Sequence, residues 1–415
     1  MTIATATTLD AAAISHISDQ LDEPAWLREH RAAWWERAEA TPPPSGQEEE
    51  WRRTDLAALP RDGALLLDAP ALEVHLPLGA AEAGVVVSDL RTAVRQHPEL
   101  VRRSLGKAGG QASHAHFWAL AQAAWTGGVF VHVPRNASVD GTVVVRTTLR
   151  DGAATYLPVT LVVAEEGADI TLLEEVASPD GSAIWFGGIV EVIADQAARV
   201  RYANLQQLGD AAWNIGSQRV VVGQDANVTT LNAEVGSKVT KVGLDVQMTG
   251  KGGTSRLLGL LAAGDDQHID INSDQDLHGS YTTSDLLYLS ALYDRARAAF
   301  YGVTKVRAGS RQTSSYQECR NLLLSPEAGA EPIPVLEIET NDILRCGHGA
   351  TAGAIDQTQL FYAQTRGLDA DSAERMIVRG FFEQVVGQVQ DETIRERVLA
   401  ALARRIGFSE EEAAA

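Results

Sequence analysis

Between about residues 127 and 353 the chain alternates short β-branched runs with Gly, Asp and Asn turns, as in GVFVHVP, GTVVVRTTL, LPVTLVVA and RVVVGQDANVTTLNAEV. Runs of this length and residue type predict strands, because branched side chains fit a pleated, half-buried surface. Within them a small residue followed two positions later by an apolar or short one recurs at Ala137/Val139, Ala168/Ile170, Ala198/Val200, Ala226/Val228 and Gly253/Ser255. Successive pairs lie 31, 30, 28 and 27 residues apart. A near-constant period of that size predicts stacked coils of a β-solenoid, each burying its apolar side chains against the next. The rival, a β-sandwich, has turn signals every ~8–12 residues and needs no longer period, so the solenoid is preferred.

Helical spacing flanks this region. Residues 24–38 (PAWLREHRAAWWERA) read as a helix with Pro24 in its first turn and with Leu27, Trp34 and Ala38 recurring near helical spacing, until TPPPSG ends it. Mixed helical and irregular sequence follows to about Trp125. Beyond Gly353, Asp356 and Gln359 have the spacing of a capping pair and Gly367 is placed to stop a short helix. A second helix carries Ile377, Phe381 and Val385 at intervals of four, and a third carries Ile394, Val398, Leu402 and Ile406 before Gly407. Residues 409–415 are expected to fray. The expected organisation is an N-terminal, largely helical region (1–125), a β-solenoid core (126–350) and a C-terminal helical unit (351–415).

A length of 415 residues exceeds one ordinary core, which fits two or three units or one large solenoid with appendages. The formal net charge of -20 repels phosphate backbones and anionic lipid, so neither nucleic acid nor membrane is an expected partner. No apolar run approaches the ~20 residues of a spanning helix, and the N-terminus lacks a basic start followed by an apolar stretch. A cytoplasmic protein is expected. Two cysteines, Cys319 and Cys346, are too few for a disulfide framework, and each is either a free thiol or a ligand.

Absent motifs narrow the chemistry. The chain has no G-x-S-x-G elbow and no H-E-x-x-H pair, and its nearest phosphate-loop lookalike, TGKGGTS around Lys251, has Gly252 where Ser or Thr would hold magnesium. The most suggestive segment is NDILRCGHGAT, where Cys346 and His348 stand two residues apart. On an extended strand they project to one face, and a thiolate and an imidazole there form half of a metal site. A buried strand Cys is also ordinary packing. His268, Asp270, Asp276 and His278 offer nitrogen and carboxylate ligands, but the preferred reading is a solvated outward strand face. His114, His116 and His132 take structural readings, and Cys319 that of a packed thiol. A β-helix carbohydrate-active enzyme working through paired carboxylates is the enzymatic alternative, disfavoured by an acidic chain with only Trp185 and Trp213 in the solenoid.

Three stretches carry a family resemblance: EPAWLREHRAAWWERAEATPPPSGQEEEWRRTDL, GVFVHVPRN, and YQECRNLLLSPEAGAEPIPVLEIETNDILRCGHGATAGAIDQTQLFYAQTRGL followed by ERMIVRGFFEQVV. Together they resemble the SufB/SufD family of iron–sulfur cluster assembly scaffolds, from about residue 23 to 406. The resemblance implies a right-handed parallel β-helix over residues 127–350, paired with a SufB-like subunit. It implies a C-terminal unit around residues 356–406 that docks a SufC-like ATPase. It further implies no catalysis by the chain itself, no stably bound cofactor, and a transient iron or iron–sulfur cluster at the SufB interface. The family's motif Cys and His are matched by Cys346 and His348, with His348 ranked first. Gly349 follows His348 where SufB has Glu, and no Cys precedes Cys319, so the resemblance is to the SufD-type branch; a homodimer in the absence of SufB stays open. Leu336, Ile338, Leu344, Cys346 and His348 share one parity, so an unbroken strand would turn both ligands to the same side as apolar residues.

Overall fold

The computed structural model describes residues 2–5, 8–108 and 114–406. Its centre is a parallel β-solenoid of about 8 turns. Each coil contributes one strand to a 13-stranded sheet and one to a 9-stranded sheet. The first wall runs from Gly128–Val133 to Gly329–Ile338 and the second from Ser138–Thr148 to Ile343–Ala354. The solenoid expectation therefore holds, with helices on both sides of it in sequence.

The period read from the sequence is the coil itself. Ile170, Val200, Val228 and Ser255 pair in register on successive strands of the second wall, and the same inner column continues through Ser284 and Ser315 to Cys346. Inward-facing Val, Ile, Leu and Ala fill most of the interior. One corner of each coil turns through a left-handed residue, at Asn136, Gly167, Ala197, Asp225, Gly252, Tyr281 and Gln312. Each donates its backbone N–H to the next coil, from Asn136 to Glu166 O at 2.9 Å through to Gln312 to Asp342 O at 2.7 Å. At Gly252 an added Cβ would fall 2.2 Å from Asp225 Oδ1, so the stacked corner requires glycine there twice over, by φ and by space.

The interior also holds polar groups. A cavity of about 50 Å³ is lined by Glu174, Gln206, Asn214, Gln218, Asn232 and Glu234. Glu174 accepts from Thr160 Oγ1 and Tyr202 Oη, each at 2.7 Å. Asn214 Nδ2 donates to Glu234 at 3.2 Å. Burial raises the carboxyl of Glu174, and raises that of Glu234 to about 7.

Helices α1 (Ala11–Gln20), α2 (Ala25–Ala40), α3 (Leu90–Gln96), α4 (Pro98–Ser104) and α5 (Ala115–Ala124) lie in the N-terminal region. Pro24 is the N-cap of α2 rather than its first residue. The N-terminal helices cover the outer face of the first wall, packing Leu27, Trp118 and Trp125 with Leu161, Val163 and Ile215. Arg31, fully buried on α2, pairs with Glu23 at 2.6 Å, donates to Ala123 O at 2.8 Å and lies 4.4 Å over the Trp125 ring.

Helices α6 (Gln357–Thr365), α7 (Ala370–Val386) and α8 (Glu392–Ile406) close the chain. Asp356 caps α6 by accepting from Thr358 N at 2.8 Å. Val378, Phe382, Val385, Ile394, Val398 and Leu402 pack against the outer face of the second wall, on Leu231, Leu258, Leu260 and Leu289. Of the expected stripe Val385 is buried, whereas Ile377 and Phe381 are only partly so and Val378 and Phe382 take the buried positions beside them. Gly407 and residues 409–415 lie outside the described residues. Among the described residues no helix is long and apolar enough to cross a membrane.

Candidate metal-binding end of the solenoid

Both walls stop at the C-terminal end of the solenoid with one unpaired edge. Among the described residues Gly329–Ile338 pairs only with Arg297–Val306, and Ile343–Ala354 only with Thr313–Leu323. A bare edge presents unsatisfied backbone groups to a partner.

The expected unbroken strand from Leu336 to His348 is corrected. Leu336 and Ile338 end the first wall, residues 339–342 turn the corner, and Cys346 and His348 belong to the second wall. Register also shifts at the start of that strand, where Thr313 pairs with Ile343 but Ser314 with Arg345. The shift leaves Leu344 as an extra residue, 67% exposed, while Ile343 and Cys346 both pack against the interior.

Beyond the shift, Cys346 stacks on Ser315 and His348 on Gln317, both inward-facing residues of the preceding coil. Cys346 is half-buried and His348 exposed. Burial pushes the Cys346 thiol above its ordinary value, so a bound cation is needed to draw off its proton near neutral pH. Buried Gln317 Oε1 has no hydrogen-bond partner among the described residues, which places an open acceptor one coil beneath His348. On the outer side, Tyr316 lies across Gly347 and Gly349: a Cβ on Gly347 would sit 3.4 Å from the ring and one on Gly349 3.1 Å from Tyr316 Oη. The Arg345 guanidinium covers the same ring at 4.2 Å. The two glycines thus let an aromatic side chain clamp the strand of Cys346 and His348 from outside. Sequence reading missed Gln317 and Tyr316. The coil period would have found Gln317, since it and His348 stand 31 residues apart and in register.

Cys346 and His348 alone would leave a tetrahedral metal half-coordinated. Cys319 adds no third donor. It is 4% exposed in the interior, and burial pushes its thiol up to about 12.

Of the second ligand candidate set His278 is exposed, as on a solvated face, but the other three are not. Asp270 is 1% exposed and pairs with buried Lys241 at 2.7 Å, accepting also from Thr54 Oγ1 at 2.7 Å. His268 Nε2 lies 3.3 Å from the same hydroxyl. The N-terminal segment that supplies Thr54 covers this end of the strand, which strand parity alone could not reveal. Asp276, at the other end, is held by Arg307 at 2.6 and 2.9 Å, with His278 Nε2 at 3.1 Å. The four side chains therefore split into two ion-pair networks. Among the described residues no three or more His, Cys, Asp or Glu side chains converge as a metal site. His114 is buried against Trp51, with ring centroids 4.6 Å apart, and desolvation lowers its pKa to about 3. His116 Nδ1 bonds Thr41 O at 2.7 Å and His132 lies 3.2 Å from Glu165.

Fold and geometry together define a parallel β-solenoid protein whose open end carries a half-buried thiol and an exposed imidazole on one strand. Comparison with known proteins makes the class specific. The family model described as SUF system FeS cluster assembly, SufBD core domain, matches residues 146–381, and that of the SufBD protein N-terminal region matches residues 72–145. An iron-sulfur cluster assembly SufBD family protein of Mycobacterium leprae is 27% identical over 378 residues, covering 88% of this chain and 91% of the relative. The iron-sulfur cluster assembly protein SufD of Bacillus subtilis is 24% identical over 440 residues, covering 98% and 100%. A SufBD family protein of Mycobacterium tuberculosis is 31% identical over 228 residues, covering 53% and 57%. The chain belongs to the SufBD family of the SUF system, and its role lies in iron–sulfur cluster assembly.

Proposed function

We propose that the chain is a SufD-type, non-catalytic scaffold subunit of the cytoplasm, pairing through the open end of its solenoid with a SufB-like subunit and docking a SufC-like ATPase through its C-terminal helices. His348, and after it Cys346, supplies ligands to iron or a nascent cluster held transiently at the paired end. The observation that carries this reading is the last coil: its two edges are unpaired, and it bears a side-by-side thiol and imidazole that cannot complete a site alone. The alignment with SufD of Bacillus subtilis, which spans that whole relative, supports the SufD-type assignment. Without SufB, the same edges would pair two copies of this chain.

The docking surface falls on residues that the chain leaves uncovered. Phe361, Tyr362 and Met376 are 66%, 58% and 51% exposed on α6 and α7, whereas Val385 is fully buried against the second wall. Removing residues 370–415 would strip the cover from that wall, so point changes are the cleaner probe.

The chain is coexpressed with its genomic neighbours, and subunit stoichiometry and iron content are measured. His348→Ala should lower iron or cluster content while partners still copurify. Phe361→Ser with Tyr362→Ser should release the ATPase and keep the SufB-like subunit. Full cluster content in the His348 variant refutes the ligand role, and turnover of a carbohydrate by the isolated chain refutes the scaffold reading.

A further inference from the structure

The outer face of the second wall carries a basic recess that the cluster site does not use. Arg201 and Arg256 lie on alternate coils of one column, with Thr229 in register between them, and Arg199 stands two residues before Arg201. The connection between α7 and α8 forms the opposite side through Gln388, Val389 and Gln390, and the recess encloses about 220 Å³. Its floor is apolar, made of buried Ala203, Leu231 and Ile394.

The charges of the recess are unevenly satisfied. Arg201 is held by Asp169 at 2.5 Å and by Thr171 Oγ1 at 2.7 Å. Arg199 reaches the same carboxylate only at 3.8 Å and is otherwise exposed. Arg256 has no ion pair among the described residues. The one acid on the opposite side, Asp391, is committed to its own chain, capping Ile394 N at 2.9 Å and accepting from Thr142 Oγ1. Asp285 stands in register beside Arg256 and Asp169 beside Arg199, but neither carboxylate closes on those two guanidiniums, which stay exposed at the rim of the apolar floor. Guanidinium forks match phosphate geometry, and hydroxyl and amide donors flank them here.

The geometry points to a binding site for a small organic phosphate, with its phosphate on Arg199 and Arg256 and its apolar body on Leu231 and Ile394. The volume is slightly below that of ordinary drug-sized pockets, which fits a mononucleotide-sized ligand rather than a length of peptide. Because one side belongs to the solenoid and the other to the α7–α8 connection, an occupant ties the C-terminal unit to the solenoid. This inference is independent of the cluster site.

Calorimetric titration of the full chain with AMP, adenosine and inorganic phosphate tests it, together with hydrogen exchange at residues 388–394. AMP should bind saturably and slow exchange there, with adenosine and inorganic phosphate each weaker by about tenfold or more, the worth of one charge-assisted hydrogen bond or of a buried ring. Arg199→Gln with Arg256→Gln should weaken AMP by at least about tenfold while leaving the unliganded melting profile unchanged, since neither side chain is buried. Absence of saturable AMP binding, equal binding by the double variant, equal binding of inorganic phosphate, or preference for an acidic peptide over AMP would each overturn the proposal.

Discussion

Replacing Glu234 with glutamine should stabilise this protein, and only at higher pH. The side chain is 1% exposed in the solenoid interior, where the amides of Asn214 and Gln206 oppose its desolvation. Burial raises its pKa from an ordinary 4.5 to about 7. Between those two values the folded chain holds a proton that the unfolded chain has released. Stability contributed by this group is therefore full below pH 4.5, falls as the pH climbs to about 7, and stays low above it. Each pH unit across the interval is worth about 1.4 kcal/mol, so the ionised carboxylate costs about 3 kcal/mol at pH 8. Glutamine keeps the shape and an oxygen acceptor for Asn214 and never ionises. Urea unfolding followed by tryptophan fluorescence, with the variant compared to the parent at pH 5 and pH 8, isolates the effect, because other raised carboxyls such as Glu174 and Asp245 cancel in the difference. The variant should gain about 3 kcal/mol at pH 8 and little at pH 5. An equal gain at both pH values, or none at pH 8, would refute the reasoning.

Arg31→Met should destabilise the N-terminal region by about 3–5 kcal/mol, because it leaves Glu23 buried without its cation; a denaturation midpoint that does not move would contradict this. Gly259→Ala puts a methyl 2.1 Å from the Tyr288 ring, so it should cost about 1–3 kcal/mol, and Tyr288→Val in the same chain should recover most of the loss in the same unfolding assay. Phe382→Ala should cost about 3–5 kcal/mol by emptying the seam between α7 and the second wall, read as faster hydrogen exchange across α7 and α8 than across the solenoid. Of the two thiols in the isolated chain, Cys346 should react with a disulfide reagent at pH 8 and Cys319 should not until the chain unfolds.

Much of the fold was readable because a solenoid repeats its constraints along the chain. The small-then-apolar steps at Ala168/Ile170, Ala198/Val200 and Ala226/Val228 lie at the same place in successive coils, so period alone located the inner column as far as Ser255, and strand register carries it on to Cys346. Parity failed at the last coil, because the corner at residues 339–342 and the extra residue Leu344 reset it. The outward face of His268–Leu277 was misread for a different reason: its cover comes from Thr54, more than 200 residues earlier, as the 216-residue separation of Thr54 and Asp270 records. No local pattern encodes that contact. The polar interior around Glu234 was equally hidden, since a lone acid in a strand normally marks a solvent face.

The stacked left-handed corners have a consequence for spacing. They hold every coil at the same rise, ~4.8 Å per strand, so position along the solenoid comes in whole steps. The strand that carries Cys346 and His348 sits at the final step, whereas α8 rests on Arg199–Gln207 and Thr254–Ala263, several steps back. Duplicating a coil before residue 138 would lengthen the molecule and leave that interval intact. Duplicating one between Thr283 and Thr313 would move the last coil by one step relative to the strands under α8, and would draw Arg320 away from Gln384 on α7. The solenoid is in this sense a ruler: the distance between its last coil and the strands under α8 can change only in increments of one rung.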